Sequence, residues 1–255
     1  MSQISQSQLL GPDDGPAFSV HRPDGGSPII LLCEHASNSL PKSLKQLGAS
    51  SETMSSHAAW DPGALQTALK MSEKLDATLV QQRFSRLVYD CNRPPTSATA
   101  MPAKSEVHSI PGNANLSAAE RFARTSEIYW PFHHAVSDVI ARRASEGREV
   151  VIVTIHSFTK VYNGAVRDVE LGILHDADAR LADRMLDATK DSKQFNTQRN
   201  APYGPQDGVT HTLQIHGIAT GLENVMIEIR NDLITDDAGQ LAMAEYLSKV
   251  LEASL

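Results

Sequence analysis

Four short polar motifs carry residue types that suit catalysis or metal binding. Each follows or interrupts an apolar run, and they are Glu34-His35, Asn92-Arg93, His156-Ser157 and Glu228-Ile229-Arg230. In open α/β sheets, ligands bind beyond the carboxyl ends of the strands. If the apolar runs are strands of one sheet, we expect these motifs to meet in one crevice.

His35 and His156 are candidate metal ligands. A single histidine at a strand end is more often a structural residue that binds a loop carbonyl, but two in one sheet favour a shared role. With one carboxylate they would supply the three protein ligands of a catalytic zinc site, whose fourth position holds water. We therefore expect one zinc ion as cofactor.

Asp61 is the main candidate for the carboxylate ligand, but its sequence context allows two interpretations. Because Asp61 precedes Pro62, it suits either a metal ligand or the N-cap of a helix that begins there. Asn38, three residues after His35, is a poorer candidate because a neutral amide is a weak zinc ligand. His57 is close to Asp61 in the sequence and is expected near the pocket.

Glu228 is a carboxylate inside an otherwise apolar run, 225–230. A buried carboxylate is costly unless it is paired or functional. Because side chains alternate along a strand, Glu228 and Arg230 share a face. Two explanations therefore stand, an ion pair between them or a catalytic base at Glu228.

Four arginines are candidates for binding a substrate carboxylate, because a planar guanidinium can bind both carboxylate oxygens. They are Arg86, Arg93, Arg167 and Arg230. Arg93 is the strongest candidate, because Asn92 beside it offers an amide at the same strand end. Six further histidines are expected to be ordinary surface or core residues: His108, His133, His134, His175, His211 and His216.

The runs that position these groups read as buried strands, since most are β-branched and bounded by turn residues. They are Ile29–Cys33, Ala77–Gln81, Leu87–Cys91, Val150–Ile155, Val169–Leu174 and Val225–Ile229. Helices are predicted from Asp61, from a capping box at Ser117 with a kink or split at Pro131, and over about 177–190 and 238–251. The alternation predicts an α/β fold with helices on both faces of a central sheet.

Length and composition favour one domain. The chain has 255 residues, of which 41% are hydrophobic, enough for a sizeable core. Residues 1–27 are polar and are expected to form an extended leader that packs only locally, so that the single domain spans 28–255. The proline-containing loop 94–112 follows Arg93 and is long enough to suggest a role near the site.

Charge and cysteine content exclude several functional classes. The formal charge of −7 gives no drive for nonspecific binding to nucleic acid or to an anionic membrane. Cys33 and Cys91 are too few for a disulfide framework and lack the spacing of a thiolate zinc site. No signal peptide or membrane span is recognisable, so we expect a cytoplasmic protein.

Six segments together resemble the N-formylglutamate amidohydrolase family. They are Glu34–Pro41, His57–Ala64, Ser85–Pro94, Ile155–Thr159, Asn200–Tyr203 and Gly221–Leu233. The resemblance implies a three-layer α/β/α sandwich around a mixed sheet, similar to the zinc carboxypeptidases. It also implies a metal bound by His35 and His156 and a general base at Glu228. Asn92-Arg93 would bind the substrate carboxylate.

Two departures from related patterns bear on the metal and the substrate. Carboxypeptidase-type sites have a glutamate three residues after the first histidine, where this chain has Asn38, which favours Asp61 as the third ligand. Better-characterised formylglutamate hydrolases read His-Ser-Gly where this chain reads His35-Ala36-Ser37. The resemblance thus implies hydrolysis of N-formylglutamate or of a related small anionic N-acyl amino acid.

Two other functions stay open from the sequence. One is a zinc amidase or peptidase that acts on a dipeptide-like or cell-wall substrate with the same metal site. The other is a binding protein that keeps the scaffold and has lost its metal, which Asn38 permits. Metal content separates them, because near-stoichiometric zinc favours an enzyme.

Overall fold

The computed structural model of the protein describes residues 8–255. Its strands in chain order are β1 (Phe18–His21), β2 (Ile29–Cys33), β3 (Thr78–Gln82), β4 (Lys104–Ser105), β5 (His108–Ser109), β6 (Val151–Phe158), β7 (Val161–Tyr162), β8 (Ala165–Val166), β9 (Leu171–Leu174), β10 (Thr197–Arg199) and β11 (Glu223–Arg230). Its α-helices are α1 (Ser51–Ser55), α2 (Ala64–Leu75), α3 (Ala118–Arg124), α4 (Trp130–Ser145), α5 (Arg180–Thr189) and α6 (Asp237–Glu252).

Seven strands form one mixed sheet in the order β1-β3-β2-β6-β11-β9-β10. The four central strands β3, β2, β6 and β11 run parallel to one another. On the outside, β1 is antiparallel to β3 and β9 is antiparallel to β11. The carboxyl ends of β2, β6 and β11 therefore lie at the same edge of the sheet.

Helices cover both faces of the sheet. Helices α2, α5 and α6 pack against one face with buried side chains that include Met71, Met185 and Leu247. Helix α4 packs on the other face through residues such as Phe132 and Val136. The predicted three-layer α/β/α fold with a mixed sheet is confirmed.

The N-terminal segment contributes more than the sequence predicted. Residues 18–21 form the edge strand β1, and Leu9 and Ala17 are buried in the core. The expectation that residues 1–27 pack only locally is therefore wrong for the residues from 8 onward. An edge strand pairs with a neighbour on one side only and can remain half-exposed. The sequence of β1 therefore lacks the apolar pattern of a buried strand, and the sequence analysis did not predict it.

The predicted strand Leu87–Cys91 is wrong, although the segment is buried. Strand β3 already pairs with β1 and β2, so no open edge remains beside it. Side chains satisfy the backbone instead, as Asn113 donates to the Leu87 carbonyl and His133 bonds the Cys91 carbonyl. This irregular segment carries Asp90, Asn92 and Arg93 to the site.

The helix predicted from Ser117 is distorted just before Pro131 and is not split in two. The capping box at Ser117 is present, α3 ends at Arg124, and a wider π-turn over Thr125–Tyr129 leads into α4. Pro131 lies where this π-turn passes into α4, and a widened turn of this kind is a common place for a residue that lacks an N–H. Among residues 8–255, none of the helices has the length and apolarity needed to cross a bilayer.

Candidate metal centre and active site

His35, Asp61 and His156 meet at one buried point. The Nδ1 atoms of the two histidines are 3.2 Å apart. Asp61 Oδ2 lies 3.3 Å from Nδ1 of His35 and 3.0 Å from Nδ1 of His156. The predicted convergence of two histidines far apart in the sequence is thus present in the structure.

The sheet topology explains this convergence. His35 follows the end of β2, and His156 lies on the neighbouring parallel strand β6, which continues to Phe158 rather than ending at Ile155 as predicted. Asp61 comes from the connection before α2, where its N–H donates to the His35 carbonyl at 2.9 Å. The Ser157 N–H donates to Asp61 Oδ2 at 3.2 Å, which orients the carboxylate toward the histidines.

The position at which α2 begins shows whether Asp61 caps this helix or is available as a metal ligand. The N-cap of α2 is Gly63, with φ of 81°, and no side chain caps the helix. A Cβ at Gly63 would lie 2.4 Å from the Ile234 carbonyl oxygen, so both the backbone angle and the close approach require glycine. The Asp61 carboxylate is therefore not an N-cap. Asn38 is exposed and donates to the Met54 carbonyl, outside this group.

The geometry and chemistry of this ligand set fit a divalent metal such as zinc. An ion bound tetrahedrally at 2.0–2.1 Å keeps its ligand atoms about 3.3 Å apart, which matches the three separations above. Although burial alone would raise it, the pKa of Asp61 is held well below its usual range by His35 and by the hydrogen bond to His156. An ionised carboxylate and two imidazoles are the ligand types that zinc takes in catalytic sites.

Glu228 lies beside the metal-ligand group. It faces His156 across the β11–β6 pairing, lines the same cavity and is 5% exposed. Arg230 does not pair with it, since the guanidinium bonds to Glu170 and Asp232. The ion-pair explanation is therefore wrong. Burial raises the pKa of Glu228 to about 7, so this carboxyl can exchange a proton near neutrality.

The four candidate arginines divide between the site and elsewhere. Arg86 lines the cavity, 2.8 Å from Asp90 and 3.5 Å from Asp61. Arg93 also lines it, and among the described residues its guanidinium bonds to the carbonyls of Asn92 and Gly208 rather than to a carboxylate.

Neither of the two remaining arginines is among the residues that line the cavity. Arg167 stacks on Tyr162 and Tyr203, with its guanidinium carbon 4.4 Å and 4.8 Å from the ring centres, and both rings line the cavity. Arg230 is held by its two carboxylate partners and does not reach the cavity.

Asn92 lines the cavity but its side-chain amide is occupied. It donates to the Val209 carbonyl at 2.5 Å and accepts from the Thr212 N–H at 3.0 Å. These bonds fix the segment that supplies Val209 to the cavity wall. The predicted substrate contact at Asn92 is thus a bridge between two loops in this structure.

The cavity is small and has two hairpins at its mouth. Its volume is about 160 Å³. The hairpin β4–β5 supplies Ser105 and Glu106, and the hairpin β7–β8 supplies Tyr162. The loop 94–112, which we expected near the site, therefore reaches it. His57 lines the cavity as well, 3.4 Å from Asp61.

Comparison with known proteins assigns the family. The model of the N-formylglutamate amidohydrolase family matches residues 27–235. This chain belongs to the N-formylglutamate amidohydrolase family. The family supports an amidohydrolase activity on an N-formylglutamate-like substrate. No curated protein matches the chain significantly.

Two solved structures resemble this member of the amidohydrolase family. A gene product of Agrobacterium tumefaciens is 55% identical, with a TM-score of 0.95 over 96% of this chain and 97% of that one. An N-formylglutamate amidohydrolase from Ralstonia eutropha JMP134 is 18% identical, with a TM-score of 0.64 over 94% of this chain and 97% of that one. At that identity the second comparison supports the fold alone.

Two buried carboxylates at the centre of this amidohydrolase-family chain were missed from the sequence. Asp90 Oδ1 lies 2.8 Å from Nε2 of His35, and Glu34 Oε2 lies 3.2 Å from Nε2 of His156. Each thus approaches the ring nitrogen that points away from Asp61. The sequence carries a sign of both residues, because Asp90 interrupts an apolar run and Glu34 directly follows one.

Proposed function

We propose that the chain is a zinc-dependent amidohydrolase that releases the free amino acid from N-formylglutamate or a related small N-acyl amino acid. The observation that carries the proposal is the meeting of the ligand group, Glu228 and arginines around one small cavity. His35, Asp61 and His156 would hold the metal. When bound, the metal would polarise the acyl carbonyl and make water more acidic.

Glu228 would act as general base and then as general acid. Its carboxylate would take the proton of the attacking water and deliver it to the leaving amine nitrogen. A pKa near 7 suits both roles, because a useful fraction of each protonation state is present at neutral pH. Glu228 lines the cavity, and its Oε2 has no hydrogen-bond partner among residues 8–255, so the carboxylate is not committed to another group through that oxygen.

Arg86 would stabilise the negative charge that develops on the carbonyl oxygen. It is the arginine nearest the ligand group, and Asp90 holds its guanidinium in place. A positive charge fixed before the reaction stabilises a transition state without reorganisation. Asp61 and Asp90 beside it keep this arginine from serving as a mobile carboxylate ligand.

Arg93 and Arg167 would bind the substrate carboxylates. Within the described residues each bonds to carbonyl oxygens, and neither is committed to a carboxylate. Arg167 is further fixed by its two tyrosines, so little side-chain entropy is lost when an anion binds. A substrate with two carboxylates could engage both arginines, as N-formylglutamate could.

The cavity volume favours this function over hydrolysis of a cell-wall peptide. Sites for drug-sized ligands occupy about 300–1,000 Å³. A cavity of about 160 Å³ suits a single acylated amino acid better than an extended peptide. A binding protein without metal would have no use for an unpaired buried carboxylate at Glu228, which is costly to keep.

A substrate panel tests the proposal. The purified, zinc-loaded protein is offered N-formylglutamate, N-acetylglutamate, a dipeptide and a cell-wall peptide at equal concentrations, and the released amine is measured. We expect turnover of acylated amino acids, with N-formylglutamate the best of the four, and its loss in the Glu228→Gln variant. Turnover of the peptides alone would favour the amidase or peptidase instead.

A further inference from the structure

Glu34 is a buried carboxylate to which the reaction above gives no role. It is 1% exposed and directly precedes His35 at the end of β2. Its Oε2 lies 3.2 Å from Nε2 of His156, although neither atom makes a hydrogen bond of good geometry to another described residue. A carboxylate removed from water is costly unless a partner compensates, and the partners beside Glu34 are the His156 ring and the Thr212 side chain.

The strand register explains why Glu34 and His156 are neighbours. Leu32 on β2 faces Thr154 on β6, so two residues further along Glu34 comes beside His156 on the same face of the sheet. On the other side, Glu228 of β11 also faces His156. Of these two flanking carboxylates, Glu34 is the one within ion-pair distance of the ring.

We propose that Glu34 is the positioning residue of His156. With its negative charge 3.2 Å from Nε2, the carboxylate would favour a proton on that nitrogen, and so the tautomer whose Nδ1 is unprotonated and directed at Asp61 Oδ2, 3.0 Å away. Asp90 stands in the same relation to His35, at 2.8 Å. Carboxylates in this position orient a ligating histidine and raise its basicity toward the metal. The inference rests on the metal site of the proposed function.

The Thr212 side chain is a second polar neighbour of Glu34, whereas the buried histidines nearby are engaged with other partners. His133 and His216 bond through their rings at 2.9 Å, and His211 bonds to the Tyr129 hydroxyl at 2.8 Å. These buried histidines therefore do not need the Glu34 carboxylate to satisfy them. A purely structural Glu34 would support the fold and leave the metal affinity of the folded protein unchanged.

Zinc affinity tests the inference without reference to turnover. The full-length protein is stripped of metal, and the dissociation constant of zinc is measured by competition with a chromophoric chelator. Glu34→Gln keeps the shape and an acceptor oxygen but removes the charge, so we expect zinc to bind about 10- to 100-fold more weakly. Glu149→Gln, the same change at an exposed position before β6 and so at the opposite edge of the sheet, is the matched control and should leave zinc affinity unaltered.

Each outcome bears on the inference. A folded Glu34→Gln protein with parental zinc affinity would overturn it. If that variant does not fold, Glu34→Asp replaces it, because the shorter side chain keeps the charge but withdraws it from Nε2, and parental affinity would again overturn the inference. A parent protein that binds zinc but hydrolyses no acylated amino acid contradicts the proposed function alone. A parent that binds no zinc contradicts both.

Discussion

The floor of the cavity and its mouth are built in different ways. On the floor, His35, Asp61 and His156 are buried and bonded to one another. At the mouth, two short hairpins meet through a single 3.4 Å hydrogen bond from the Asn163 N–H to Glu106. Fixed groups suit bond-breaking chemistry, whereas a lightly connected rim can vary between substrates. Changes on the floor should therefore cost activity, and changes at the mouth should alter selectivity.

The largest effect is expected from His156→Ala on the floor. It removes one of the predicted metal ligands, so zinc content and turnover should fall together, turnover by about 10³-fold or more because metal assistance supplies several kcal/mol. Metal analysis and amine release measured on the same preparation check this. Full activity in a zinc-free variant would mean that the floor works without this ligand.

Glu228→Gln should come next. The fold and the zinc content should be preserved, while kcat falls by about 10²-fold or more because the proton acceptor is lost and the shape is nearly kept. Steady-state kinetics alongside metal analysis give the answer. Parental turnover would exclude Glu228 as the base, and since Arg230 bonds elsewhere no ion-pair role would remain to explain this residue.

Arg93→Lys, on the cavity wall, should have an intermediate effect. Lysine keeps the charge but cannot bind both carboxylate oxygens, so kcat/KM for N-formylglutamate should fall by about 10-fold with zinc content unaltered. A neutral N-formyl amine is the control substrate, and its slow hydrolysis should barely change. Equal losses for both substrates would instead assign Arg93 to stabilisation of the oxyanion.

Glu106→Gln at the mouth should have the smallest effect. The amide can still accept the Asn163 N–H, so the contact between the hairpins survives while one negative charge leaves the cavity rim. We expect KM for a dianionic substrate to fall by a few-fold with kcat unchanged, because less repulsion opposes binding. A change in kcat would show that the rim is coupled to the floor.

The sequence predicted the sheet and part of the floor for physical reasons. Strands β2, β6 and β11 are long, apolar and β-branched, and parallel strands bring their ends to one edge. The role of Asp61 could not be decided, because an aspartate before a proline is equally suited to begin a helix. The structure decides between a helix cap and a metal ligand because the N-cap of α2 is Gly63 and not Asp61.

Other features depended on contacts between distant segments. Strand β1 forms because β3 offers it an edge, and the 87–91 segment is irregular because that edge is already occupied. The closeness of Asp90 to His35 likewise arises from this irregular segment, which no periodicity signals. Arg230 was misassigned for a related reason, since its partner Glu170 lies 60 residues away in the chain.

The most direct test of a metal-dependent floor is a zinc titration of the metal-free protein, with N-formylglutamate hydrolysis followed at each addition. Three protein ligands around one point predict that activity rises linearly and reaches its plateau at about one zinc per chain. The His35→Ala variant should show no such rise. Full hydrolysis by the metal-free protein, unchanged as zinc is added, would contradict this account.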